Sequence, residues 1–457
     1  MPESLSPADR SSLNTERGPI NMAVAGVMIA EAGPGLAYDA VCRRIEERLH
    51  LLPRYRQRLE QPPLGVAHPV WVDDEHFDVG WHVRSATLPA PGGIAELEAF
   101  VGREASRRMD RSRPLWELHL VDGLEGGRVA VIPKMHHALV DGLAALGAVM
   151  LLVDPTPEPA PIEPPAEPWT PRPYDPKRHA AQLATSPVRR ALRWGDRLVD
   201  VRPMTAAGDL RRATDLLTEL AIGRPAAPDL PFNREISPNR AWAYVPATLD
   251  ALKMAGKRAG GSINDVVLAV VSGMLAGYLA QAGVTASRLP RDPVALVPVS
   301  VRDDADATDG NQISIVFVDL PVGEPDLDTR TAIIGRRMTA IKGSAKVRAG
   351  ALMVGAGGFA PPLMASALAR AAAVTPGGTA FNVVVSNVPG PQFPLYLNGS
   401  QVLGAVPVVP LNPADQGLNV GVLSYNGQVG FGVSADRALD PPVGLAKAAL
   451  EAVLAQL

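Results

Sequence analysis

The sequence predicts a mixed α/β protein built in two halves. Three observations carry that reading. Apolar residues recur at helical spacing in some segments and at strand-like spacing in others, and the two kinds alternate along the chain. Residues 155–176, PTPEPAPIEPPAEPWTPRPYDP, are too rich in proline for helix or central strand and divide the chain as an extended crossover. Two turn signals of the antiparallel-hairpin kind, DGLEGG at residues 122–127 and Asn426-Gly427, fall between apolar runs. A chain of 457 residues is longer than one core usually sustains, so two domains are expected.

The elements follow in order. Residues 38–51 place Val41, Ile45 and Leu49 on one helical face, and residues 94–109 do the same with Leu97, Phe100 and Val101. Strands are predicted over 116–121 and 129–132, on either side of the glycine turn. Small and apolar residues on all sides mark 142–152 as a buried helix, ended by Asp154-Pro155. After the crossover, Ser186-Pro187 can cap a helix with Val188, Ala191, Leu192 and Val199 on one side and Arg189, Arg190, Arg193 and Arg197 on the other. Such a helix either packs on the body or faces a membrane. The second half opens with a strand at 242–245 and a helix running into GGSINDVVLAVVSGML. Strands then follow at 295–302, 313–322 and 381–391, with a closing hairpin around Asn426-Gly427. The predicted division is 1–154, 155–240 and 241–457.

Composition narrows the class. With 47% apolar and 20% charged residues the chain has the balance of a globular protein. A net charge of -3 gives no global basic field, which argues against a nucleic-acid partner. The single cysteine, Cys42, excludes an intrachain disulfide framework and fits a reducing cytosol. The first residues, MPESLSPADRSSLNTERG, mix charges where a secretory signal needs a cationic end and an apolar run, so none is expected. Two stretches are apolar enough to bear on membrane insertion. Residues 266–280 are shorter than the roughly 20 residues a spanning helix needs and read as a core helix. Residues 349–369 are interrupted by Gly355, Gly357, Gly358, Pro361 and Pro362 and read as interfacial or core.

The segment KMHHALVDG, residues 134–142, carries the candidate chemistry. Three readings are open: a metal site, a catalytic base with support, or two packed histidines. Adjacent histidines at a strand end point to opposite sides, so His136 and His137 do not readily share an ion. His137 and Asp141 have helical spacing, yet no third ligand is nearby, so no metal is expected. A nucleophile is unprompted, since no GxSxG elbow is present and Cys42 lacks a local activating partner. A histidine acting as general base needs a nearly neutral imidazole in a fixed orientation, and the Gly142 turn can lock the backbone between the pair. On spacing alone the packed-core reading leads.

HHxxxDG, here His136 to Gly142, resembles the active-site signature of the CoA-dependent acyltransferase superfamily that includes chloramphenicol acetyltransferase, plant alcohol acyltransferases and peptide-synthetase condensation domains. Further stretches narrow the resemblance: LSPADR with PINM downstream, the triplet Pro114-Leu115-Trp116, Asn264-Asp265 in SINDVVLA, VPVSVR ending at Arg302, and SNVPGP containing Asn387. In this order they are similar to the bacterial wax ester synthase/acyl-CoA:diacylglycerol acyltransferase family, over essentially the whole chain. Between LSPADR and PINM the chain is less apolar than the family pattern.

The resemblance implies two chloramphenicol-acetyltransferase-like domains joined by a crossover, with a substrate channel between them. It implies transfer of a long-chain acyl group from acyl-CoA, a co-substrate, to diacylglycerol or a long-chain alcohol, with no cofactor. His137 is then the general base, His136 supports it, and Asp141 is structural, with Arg302 as its expected partner. Asn264, Asp265, Asn387 and Trp116 are expected at the substrate. For Asp265 and Asn264 a helix cap is the competing reading, for Asn387 turn chemistry, and for Trp116 core packing. Neutral-lipid substrates imply a cytoplasmic protein docked peripherally on a membrane or lipid inclusion. The alternatives are a relative using carrier-protein donors or acylating a polyketide or glycolipid alcohol, and a non-catalytic lipid-binding protein.

Overall fold

The structure is a computed structural model in which the described residues are 3–5, 7–61, 69–139, 152–158, 161–176, 225–301, 312–342, 374–375, 378–411 and 415–457. Asp141, Gly142 and Arg302 lie outside them, as do the expected basic helix at 186–200, the stretch 349–369 and nearly all of the helix expected at 142–152. The first half comprises β1 (Glu3–Ser4), α1 (Pro7–Thr15), β2 (Ala23–Glu31), α2 (Tyr38–Arg48), β3 (Gln57–Glu60), β4 (Val70–Asp73), α3 (Val79–His82), β5 (Val83–Thr87), α4 (Ile94–Ser106), β6 (Trp116–Leu124), β7 (Arg128–His136) and β8 (Val153–Asp154). The second comprises β9 (Arg240–Thr248), α5 (Leu249–Ala259), α6 (Ile263–Gln281), β10 (Val294–Val301), β11 (Gln312–Asp319), α7 (Leu327–Lys342), β12 (Val374–Thr375), β13 (Gly378–Thr379), β14 (Val383–Pro389), β15 (Tyr396–Leu397), β16 (Ser400–Val408), β17 (Leu418–Tyr425), β18 (Gln428–Asp436) and α8 (Val443–Leu454).

Two large sheets organise the mixed α/β fold. One runs β5-β6-β7-β2-β16-β15-β8 and the other β11-β10-β14-β17-β18-β9. The halves of the sequence are not the halves of the sheets. Strands β15 and β16, from the C-terminal part, complete the first sheet, where Val402 pairs with Ala30 and Val408 with Ala25. Strand β16 also lies against the second sheet, because glycines there leave room for it. A Cβ on Gly430 would collide with the carbonyl oxygen of Ala405, and one on Gly432 with that of Pro407.

Both predicted hairpins form. Strands β6 and β7 are joined through Gly126 and Gly127, and β17 and β18 through Asn426 and Gly427, all four with positive φ. Helix α6 is apolar on every side because it is buried on every side. Val266, Leu268, Val270, Met274 and Leu275 are fully enclosed between sheet strands and helices α7 and α8. It is the single helix among the described residues long and apolar enough to cross a membrane, and most of it lies inside the protein, as the core reading anticipated. Each such side chain removed from water contributes about 1.5–3 kcal/mol.

Candidate active site

Strand β7 delivers the two histidines to the end of the first sheet. Its alternation sends Ala130 and Ile132 into the core shared with α4, and Val131 and Met135 into the core shared with α2. His136 closes the strand with no solvent exposure. Its main-chain N–H donates to the carbonyl of Leu115 (3.0 Å). Its Nδ1 accepts from the N–H of Ala138 (3.0 Å), which leaves the ring proton on Nε2, 3.3 Å from Glu16 Oε2. Neither nitrogen is available to a substrate. His137 sits in the turn that follows and is half-buried, its N–H donating to the Met22 carbonyl (2.9 Å).

Glu16, which sequence reasoning gave no role, anchors this corner. Its carboxylate accepts from Arg111 Nη2 (2.6 Å) and Nε (3.2 Å) and from the N–H of Met22 (3.2 Å). Burial works against the charge, but the His136 hydrogen bond and the Arg111 guanidinium outweigh it and hold Glu16 down at about 2. Asn21, in the PINM stretch, donates from Nδ2 to the carbonyls of Ala105 and Arg107. Lys134 Nζ donates to the same Arg107 carbonyl (2.7 Å). Lys134, almost wholly buried, also lies 4.0 Å from Glu117, which Arg84 and His119 flank. Burial lowers the Lys134 ammonium, and the facing Glu117 partly offsets that. Glu104, Glu117 and His119 are spaced closely enough to hold an ion, but Lys134, Arg84 and Arg107 already counter the two carboxylates.

Beside the strand lies an apolar cavity of about 50 Å³, lined among others by Ile45, Leu49, Tyr55, Trp116, Met135 and Leu152. Met135, which lines it, lies on β7 two residues before His137. Trp116 pairs opposite Met135, donates from its indole N–H to the Tyr55 carbonyl (2.8 Å) and stacks on His82 (centroids 4.4 Å). It is both core and cavity wall. Arg48, at the cavity edge, and Arg44 clasp the buried carboxylate of Asp154 at 2.6 and 2.7 Å, fixing α2 to β8.

The C-terminal candidates separate into two kinds. Asn387 Nδ2, on β14, donates to Asn264 Oδ1 at the start of α6 (3.2 Å). Ser262 caps α6 and Asp265 completes the capping box: the Asp265 carboxylate accepts from the N–H (2.8 Å) and Oγ (2.7 Å) of Ser262, whose Oγ accepts from the Asp265 N–H in return. Asp265 therefore takes part in the capping of α6.

The chain is similar to known proteins. Residues 5–267 match the profile of the wax ester synthase/diacylglycerol acyltransferase catalytic domain, and residues 309–457 that of the family's C-terminal domain. The chain belongs to the wax ester synthase/diacylglycerol acyltransferase family. A putative diacylglycerol O-acyltransferase of Mycobacterium tuberculosis is 36% identical over 79% of this chain and 77% of its own length. A probable diacylglycerol O-acyltransferase of the same organism is 32% identical over 99% and 98%. Among solved structures, the wax ester synthase/diacylglycerol acyltransferase of Marinobacter aquaeolei VT8 superimposes with a TM-score of 0.70 at 29% identity, covering 100% of this chain and 98% of that one. The starter condensation domain of rhizomide synthetase, at 15% identity and a TM-score of 0.59, shares the fold. The protein is therefore an acyltransferase of this family, with the two-domain fold its motifs implied.

Proposed function

We propose that this acyltransferase moves a long-chain acyl group from acyl-CoA to the hydroxyl of diacylglycerol, of a long-chain alcohol, or of both. The observation that carries the reading is the unequal placing of the two histidines. His136 has both ring nitrogens engaged in the core, and His137, in the turn that follows the strand, is half-buried.

In this reading His137 removes the proton from the acceptor hydroxyl as its oxygen attacks the thioester carbonyl in a ternary complex. CoA departs as the thiolate and takes the proton back from His137, so the base is regenerated and no cofactor is consumed. The cavity at Met135 and Trp116 receives acyl methylenes. Asn264 and Asn387 supply polar groups to the channel, and Asp141 with Arg302 shapes the loop. Lipid substrates place the protein at the cytoplasmic surface of a membrane or lipid inclusion, with residues 186–200 or 349–369 as the docking segment.

Purified protein with labelled palmitoyl-CoA and a panel of acceptors, resolved by thin-layer chromatography, tests the reading. Triacylglycerol or wax ester supports it. Thiol release without an ester would mark a thioesterase; neither thiol nor ester, with lipid binding unchanged in His137→Ala, would leave a lipid-binding role.

A further inference from the structure

Glu16 contacts the catalytic turn at two points while remaining behind it. One carboxylate oxygen accepts from the Met22 N–H, and the Met22 carbonyl accepts from the N–H of His137. The other oxygen faces His136 Nε2, whose ring partner Nδ1 accepts from the N–H of Ala138. The chain on either side of His137 is therefore tied, directly or through one residue, to the same carboxylate. Arg111 fixes that carboxylate from the far side and also donates to the Leu13 carbonyl (3.2 Å). Glu16 has 7% exposure, so few competing waters reach these bonds.

We propose that Glu16 and Arg111 form a positioning pair: Glu16 sets the Nε2–H tautomer of His136 and, through Met22, the backbone beneath His137. The pair touches no substrate. Its ionic character matters because a carboxylate with a guanidinium behind it is a stronger acceptor for the His136 N–H than a neutral amide. If the tautomer reversed, Nδ1–H would confront the Ala138 N–H, and two donors facing one another would push the turn open. An error of about 1 Å at His137 is enough to slow transfer on the order of 100-fold.

The kinetic part of this inference rests on the acyltransfer reading, but the tautomer does not. The test uses the full-length protein labelled with nitrogen-15 at histidine, with His136→Asn to assign the signal, and compares the native chain with Glu16→Gln and Arg111→Lys. The native protein should show His136 protonated at Nε2 with a slowly exchanging proton. In Glu16→Gln that proton should move upfield or exchange away, while kcat falls at least about tenfold and KM for acyl-CoA stays within about twofold. Arg111→Lys, which keeps the charge, should retain most of kcat. A native Nδ1–H tautomer, or an unchanged kcat in a folded Glu16→Gln protein, would overturn the proposal. If the native protein forms no ester the proposed function fails, and the histidine spectrum still decides the tautomer claim.

Discussion

Asn387 and Asn264 meet across the second sheet and its core helix: the side-chain amide of Asn387 on β14 donates to the side-chain oxygen of Asn264 at the start of α6. The bond uses one hydrogen of the Asn387 amide and one lone pair of Asn264, so each amide keeps capacity for a ligand. Replacing either by alanine is expected to lower kcat/KM about tenfold, and the double variant to lose little more. Losses that simply add would show that the two amides act independently.

The neighbouring histidines should fail in different ways. His137→Ala should lose about 10²- to 10⁴-fold in acyl transfer with its melting temperature nearly unchanged, because its side chain is only half-buried. His136→Ala should lower the melting temperature, because it leaves Glu16 and the Ala138 N–H short of a partner, at about 1–3 kcal/mol. Thermal denaturation beside a single-substrate assay separates the two outcomes.

His82 makes stability depend on pH. It is wholly buried against Trp116, and burial pushes its imidazole down to about 4 from 6.5. The folded protein thus binds this proton less readily than the unfolded chain. The contribution is fully present above pH 6.5 and is lost as the pH falls from there to 4, at most about 3 kcal/mol. Glu16 and Glu117, each held near 2 from 4.5, add a second loss in the lower window from 4.5 to 2. Urea denaturation at pH 7, 5 and 4 should show the decline, and His82→Gln should flatten it between 6.5 and 4.

Chain-length preference should follow the cavity. Leu49, just beyond α2, lines it together with Met135. Leu49→Trp should shift acyl-CoA preference towards shorter chains in a competition assay, at a stability cost of about 1–3 kcal/mol. An unaltered preference would remove this cavity from the acyl path.

Much of this organisation was legible because local chemistry expressed it. The hairpin at Asn426-Gly427 was readable from two residues that tolerate positive φ, and the α6 core from an apolar run bounded by Ser262. That the adjacent His136 and His137 would differ in their surroundings was foreshadowed by strand alternation. Glu16 was not readable: one glutamate in a polar stretch gains meaning only when Arg111 and His136 converge on it from distant positions. The same holds for β16, whose valines at alternate positions suit any sheet, and nothing local says that its partner is Ala25 to Ala30.

The placement of β16 also governs how the molecule is made. During synthesis, β2 and β7 emerge early with one edge of β2 unpaired, and the strand that covers that edge is completed only when Val408 leaves the ribosome. The first sheet must wait for nearly the whole chain. A fragment ending at the proline-rich crossover would expose that edge and associate with its own copies, while the full chain closes it from within. The two domains are separate in architecture but are completed together, so a split at the crossover should yield aggregated fragments instead of two working modules.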